Sequence, residues 1–98
     1  MSLKVVVRRQ AHAEFDEAFD WYEQQRAGLG VEFAGHVRAV FDRIAAMPEL
    51  FAPVYRDVRK ASVRKFPYTV FYRVKPKSVV VLAVFHGKRN PDDWKSRA

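Results

Sequence analysis

Arg64, Lys65, Arg73, Lys75, Lys77, Lys88 and Arg89 crowd the C-terminal third of the chain, and Phe66, Tyr68, Phe71 and Tyr72 are interleaved with them. Cations can sit on phosphates while aromatic rings stack on bases, so this mixture suits a surface that grips nucleic acid. The same rings also fill cores. Phe66 and Phe71 read as core residues, whereas Tyr68 and Tyr72 fit either role. His12, His36 and His86 fall on separate elements without metal-ligand spacing, and His12 and His36 read as helix-surface residues. His86 differs, because it ends an apolar run and opens His86-Gly87-Lys88-Arg89-Asn90-Pro91. Glycine there allows a sharp turn that presents Lys88 and Arg89 at the sheet end. The chain has no glycine-rich phosphate loop, nucleophile elbow or paired-carboxylate motif, and no cofactor is expected. Asp92 and Asp93 are expected to cap a short helical turn around Trp94.

The elements that must position these groups follow from periodicity. Leu3 to Arg8 reads as a strand. Ala11, Phe15, Ala18, Phe19 and Tyr22 fall on one stripe of a helix over about 10–26, with the acids on its flanks and opposite side. Gly28-Leu29-Gly30 stops that helix, since glycine accepts the left-handed conformation common at helix ends. Phe33, Val37, Val40, Phe41 and Ile44 mark a second helix that Pro48 ends, and the short connection makes the two an antiparallel hairpin. Pro53 to Lys60 reads as an irregular basic approach. Ala61 to Phe66 alternates, with Val63 inward and Arg64 outward, and Tyr68 to Val74 is a strand. Val79 to Phe85, apolar throughout, is a central strand covered on both faces at least in part. The expectation is an α+β fold of order β-α-α-β-β-β in one domain over 1–98. The hairpin packs on one face of a small, mostly antiparallel sheet, leaving a basic face on the other side.

Composition sets the class. The 98 residues are 49% hydrophobic, which suits a folded domain, and contain no cysteine, so disulfides and thiolate metal sites are excluded. The longest apolar stretch, Val79 to Phe85, is about a third of the roughly 20 residues of a membrane span. No signal-peptide run opens the chain, so a cytoplasmic location without membrane association is expected. The net charge of +7 is unevenly divided. Residues 10–27 hold five acids against one base, and residues 54–98 hold twelve bases against three acids. Such a split suits a cationic face for phosphate, for an acidic protein, or for both.

Trp21-Tyr22-Glu23-Gln24-Gln25, Gly28-Leu29-Gly30 and Phe33 resemble the helical hairpin of the RelE/ParE family of toxin–antitoxin toxins. Phe66-Pro67-Tyr68, Phe71-Tyr72-Arg73-Val74 and the run from Val79 through Pro91 resemble that family's C-terminal sheet. The resemblance spans nearly the whole chain in the correct order. It implies a growth-inhibiting toxin neutralised by a cognate antitoxin, with Phe15, Phe19, Trp21 and Tyr22 as antitoxin-binding residues. Lys65, Tyr68, Arg73, Lys88 and Trp94 would then bind nucleic acid or another target. RelE-type members cut messenger RNA on the ribosome. By position, Arg64 and Arg89 match their phosphate-stabilising residues, and His86 is the remaining candidate for acid–base work. Trp94 stands where such toxins often carry a tyrosine or histidine, and indole cannot exchange a proton at neutral pH. ParE-type members inhibit DNA gyrase by binding it, without catalysis. The Trp-Tyr hairpin and the Gly28-Leu29-Gly30 connection look more like that branch.

Overall fold

The computed structural model describes residues 2–98. In chain order the elements are β1 (Lys4–Val7), α1 (Arg9–Gln25), α2 (Leu29–Ala46), β2 (Pro53–Tyr55), β3 (Val58–Ser62), β4 (Tyr68–Val74), β5 (Ser78–His86) and α3 (Asp92–Lys95). The five strands form one sheet ordered β1-β5-β4-β3-β2, with β1 parallel to β5 and the other neighbours antiparallel. The helical hairpin and the mostly antiparallel sheet agree with expectation.

Each helix turns its predicted stripe towards the sheet, in part fully buried. Ala11, Ala18 and Tyr22 of α1 and Phe33, Val37 and Ile44 of α2 are buried against Val70, Tyr72, Val79, Val81 and Val84 of the sheet. The Tyr72 hydroxyl, carried into this core, donates to the Pro48 carbonyl at 2.8 Å, which avoids the penalty of a buried unpaired polar group. The two glycines of the hairpin turn act for different reasons. Gly28 has φ 90°, a left-handed conformation that glycine adopts without strain. Gly30 lies inside α2 at a crossing too close for a side chain, where an added Cβ would sit 2.6 Å from both the Phe19 carbonyl oxygen and Glu23 Cγ. The Glu23 carboxylate accepts the Gly28 and Val31 N–H groups at 3.2 and 3.1 Å, satisfying donors at the start of α2. Those backbone bonds, Gly28's first, hold its carboxyl below the usual carboxylate range.

Three expectations need correction. Pro53 to Lys60 is not irregular: β2 and β3 form a hairpin through an Arg56-Asp57 turn, with Arg56 at φ 53°. A proline is tolerated at the first residue of an edge strand, so Pro53 does not exclude one. Arg64 is not on a strand, because β3 ends at Ser62 and Arg64 and Lys65 lie in the turn to β4, Lys65 at φ 69°. Nor is the sheet's reverse face an open cationic surface. Val58, Phe71, Leu82, Ala83 and Phe85 form a second core there, closed by Trp94 of α3. The Trp94 ring stacks on Phe71 with centroids 3.9 Å apart and planes 14° from parallel.

The strand β5 carries most of this architecture. Its register with β4 slips between Phe71 and Tyr72, which pair with Ala83 and Val81 and leave Leu82 as a bulge. Val81 and Val84 then face the helices while Leu82, Ala83 and Phe85 face α3. On the opposite edge, β1 ends at Val7, and the last bond of that ladder is Arg8 N–H to the Val81 carbonyl at 3.0 Å. Beyond it, side chains replace a strand. Glu14 Oε1 accepts the Val84 N–H at 3.1 Å, and Arg97 Nη1 donates to the Leu82 carbonyl at 3.1 Å. Arg97 also grips both Glu14 carboxylate oxygens at 2.9 Å, with its side chain only 7% exposed and that of Glu14 11%. The Glu14 hydrogen bonds raise the Arg97 pKa above its ordinary value despite burial. Glu14 thus turns inward, although the helical pattern placed the acids on the flanks and outer side.

Gly30→Ala should destabilise the fold by about 1–3 kcal/mol through overpacking against backbone. Gly35→Ala, in an exposed stretch of α2 with nothing within 4 Å, should stabilise it by about 0.5–1 kcal/mol, both read from urea midpoints. Glu14→Ala should lower stability by about 3 kcal/mol, because it removes the two-oxygen partner of the buried Arg97, which keeps only Asp93, at 3.4 Å, as a carboxylate partner. Adding Arg97→Met should recover part of that loss, a coupling that a double-mutant cycle measures.

Candidate functional site

A cleft of about 300 Å³ opens between α1 and the adjoining ends of β4 and β5. Glu14, Glu17, Trp21, Tyr68, His86 and Arg89 line it, with Ala18 and Val84 at its apolar base and Tyr22 between. Helix α1 supplies Glu14, Glu17, Ala18 and Trp21 at three- and four-residue spacing, which places them on one face. The pairing of Tyr68 with His86 in the β4–β5 ladder sets the opposite wall. Its rings meet mostly edge-on: Tyr68 and His86 are 5.0 Å apart at 83°, Tyr22 and Tyr68 6.2 Å at 66°, Trp21 and Tyr22 5.2 Å at 80°.

The electrostatics of the cleft differ from those of the molecule. Arg89 donates to Glu14 Oε2 at 2.6 Å and also binds the Asp93 carboxylate, while Arg97 bridges the same two acids. Two arginines and two carboxylates therefore neutralise each other at one end. Burial raises the Tyr68 pKa, with Tyr22 and then Glu17 adding to the effect, so its phenol stays protonated. The His86 Nδ1 accepts the Lys88 N–H at 3.0 Å, which leaves Nε2 to carry the proton of a neutral ring.

Of the residues singled out by sequence, this cleft gathers His86, Arg89, Tyr68, Trp21 and Tyr22. The others are elsewhere. Arg64 lines a separate groove of about 560 Å³ with Glu32, His36, Arg43 and Ser62 beside α2. Lys65 is exposed, 3.9 Å from Glu32, and Lys88 is exposed in the loop after β5. Arg73 lies on the reverse face, its side chain 14% exposed and its Nε donating to Asp57 at 2.8 Å. Trp94 is 5% exposed, so the structure withdraws it from any binding surface and makes it core. Among the helix residues expected to meet an antitoxin, Tyr22 is buried and Phe15 and Phe19 are half-buried, Phe15 stacked on Phe33. Trp21 is 56% exposed. Asp92 and Asp93 do not cap α3 with their side chains. Asn90 Oδ1 accepts the Asp92 N–H at 3.0 Å, leaving Asp93 free to bind the arginines.

Sequence reasoning missed Glu14, Glu17 and Arg97. Two signals were available. Glu14 lies between Ala11 and Ala18 at helical spacing, a charge on the inner stripe, and Asp93 and Arg97 stand four apart as an ion pair on one helical turn does. No cluster of three or more His, Cys, Asp or Glu side chains able to hold a metal exists among the described residues. No helix among them is long and apolar enough to cross a membrane.

Known proteins resemble this chain in sequence and in fold. A family model described as the ParE toxin of the type II toxin–antitoxin system parDE matches residues 5–91. Toxin ParE2 of Mycobacterium tuberculosis, from strains CDC 1551 / Oshkosh and ATCC 25618 / H37Rv, is in each case 31% identical over 93 residues. That alignment covers 94% of this chain and 89% of the relative. A solved structure of the chromosomal ParDE toxin–antitoxin system from P. aeruginosa superposes with a TM-score of 0.76 over 87% of this chain and 96% of that one. At 16% identity that likeness speaks to fold. The family match and the near-full-length relatives place the chain in the ParE toxin family of type II toxin–antitoxin systems.

Proposed function

We propose that this protein arrests growth by binding DNA gyrase without catalysing a reaction, and that a cognate protein antitoxin neutralises it in the cytoplasm. The observation that carries the non-catalytic reading is the dispersal of the groups a metal-free ribonuclease would need. Such an enzyme must hold cations on the in-line phosphorane and exchange protons with the 2′-hydroxyl and the leaving oxygen. Arg64 and Arg89 fall in separate clefts, Arg89 is shared between two carboxylates, and Trp94 is buried between α3 and the sheet. The similarity to toxins named ParE supports the same branch. An antitoxin of acidic character fits the uneven charge, since complementary fields speed encounter and orient the partner.

One observation favours the runner-up, messenger-RNA cleavage on the ribosome: His86, Tyr68 and Arg89 share a cleft. The two readings separate cleanly in experiment. Purified toxin at micromolar concentration should inhibit supercoiling by purified gyrase and leave translated messages uncut in primer extension. Discrete cuts that disappear in Arg89→Lys, with supercoiling intact, would reverse the assignment. Co-expression of the short acidic reading frame expected beside this one should restore growth.

A further inference from the structure

The chain has 18 lysines and arginines, yet among the described residues none of them pairs with Glu17 or lies over the Trp21, Tyr22 and Tyr68 rings of the cleft beside α1. Among the described residues, the cations that lie over rings choose Tyr55, Phe85 and Trp94, and none lies over Trp21, Tyr22 or Tyr68. Glu14 is bound by Arg89 and Arg97, whereas Glu17 on the same wall has no ion-pair partner among those residues. Asp20, beside it on the exposed side of α1, likewise has none. Because the Glu14–Asp93–Arg89–Arg97 group is internally neutral, the uncompensated charge at the mouth of the cleft is negative, on a protein whose total is +7. Glu17 helps to raise the Tyr68 pKa, after burial and Tyr22, whereas Arg89 lowers it by more than Glu14 raises it, so it is the Glu17 charge that is felt at the cleft wall.

We propose that this cleft is a receptor for a basic side chain, a guanidinium or ammonium on an aliphatic stem, presented by a segment of a partner protein. Trp21, Tyr22 and Tyr68 offer ring surface for a cation–π contact, and Glu17 supplies the countercharge. Ala18 and Val84 at the base suit the methylene stem, which packs on apolar surface while the charged head stays near water. Trp21, 56% exposed at the cleft mouth, has ring surface free to meet a partner. An anion is disfavoured at the same place. Arg89 already has two carboxylate partners, and His86 Nδ1 is occupied by the Lys88 N–H. The unpaired Asp20 outside the cleft points to a peptide carrying its cation on an extended basic stretch rather than to a free ion. The proposal concerns what enters the cleft and stands whether or not gyrase is the target.

The test is an NMR titration of the full chain, following the Trp21 indole N–H and the Ala18 and Val84 amides. The probes are an alanine-flanked arginine pentapeptide, its citrulline counterpart of the same shape without charge, a glutamate counterpart, and spermidine. The arginine peptide should shift these signals saturably, at least threefold more tightly than the citrulline peptide, with affinity falling as salt rises. Glu17→Gln and Trp21→Ala should each weaken it about threefold, the size expected of exposed ion-pair and cation–π contacts. Both positions are exposed, and preserved signal dispersion would show that the variants fold. Equal binding of spermidine would keep the cation chemistry but assign it to a free polyamine, overturning the partner segment. Indistinguishable arginine and citrulline peptides, or preference for the glutamate peptide, would overturn the receptor.

Discussion

One strand has to be buried on both faces while one of its edges runs past the neighbour that should pair with it. Every position from Val81 to Phe85 is buried, so the backbone polar groups of β5 have no water to turn to and must find partners within the protein. β4 satisfies one edge. On the other, β1 stops at Val7, and Glu14 and Arg97 take over as acceptor and donor. Both are charged, so each must be neutralised where it lies, which draws in Arg89 and Asp93. A backbone hydrogen-bonding problem thus creates a four-residue ionic cluster that ties α1, β5 and the C-terminal turn together.

That cluster governs what the molecule can do. An arginine held by two carboxylates is poorly placed to meet a phosphate, because the incoming anion must compete with partners already bound to it. The same side chains pin α3 so that Trp94 closes the second core, its indole stacked on Phe71 and withdrawn from any base. The freedom left to the molecule lies along α1, where Trp21 and Glu17 face solvent beside the cleft. Basic residues remain numerous at the sheet margins and loops, among them Lys60, Lys75 and Lys88. There they contribute a field rather than a formed site.

Much of this was legible from local pattern, and the limits of pattern explain the rest. The apolar stripes of α1 and α2 reveal the hairpin because burial on one side imposes helical periodicity. The uniform apolarity of Val79 to Phe85 reveals a strand covered twice. What pattern could not supply were groups whose partners are far away in sequence. Glu14 and Arg97 are 83 positions apart, and each alone looks like a solvated surface charge. Trp94 sits in a short polar tail that resembles an exposed turn, and only the apposition of Phe71 makes it core. Arg64 was misplaced because strand alternation was carried past Ser62 into a turn, and a turn aims side chains by its dihedrals rather than by pleat.

The account turns on a carboxylate side chain doing the work of a strand at the open edge of β5. Native-state hydrogen exchange at the Val84 amide tests this directly, since protection reports the opening free energy of an individual bond. The account predicts that Val84 N–H exchanges as slowly as the β5 amides bonded to β4, and that Glu14→Gln accelerates it while those amides stay protected. Exchange of Val84 as fast as an exposed loop amide in the unmodified protein would contradict it.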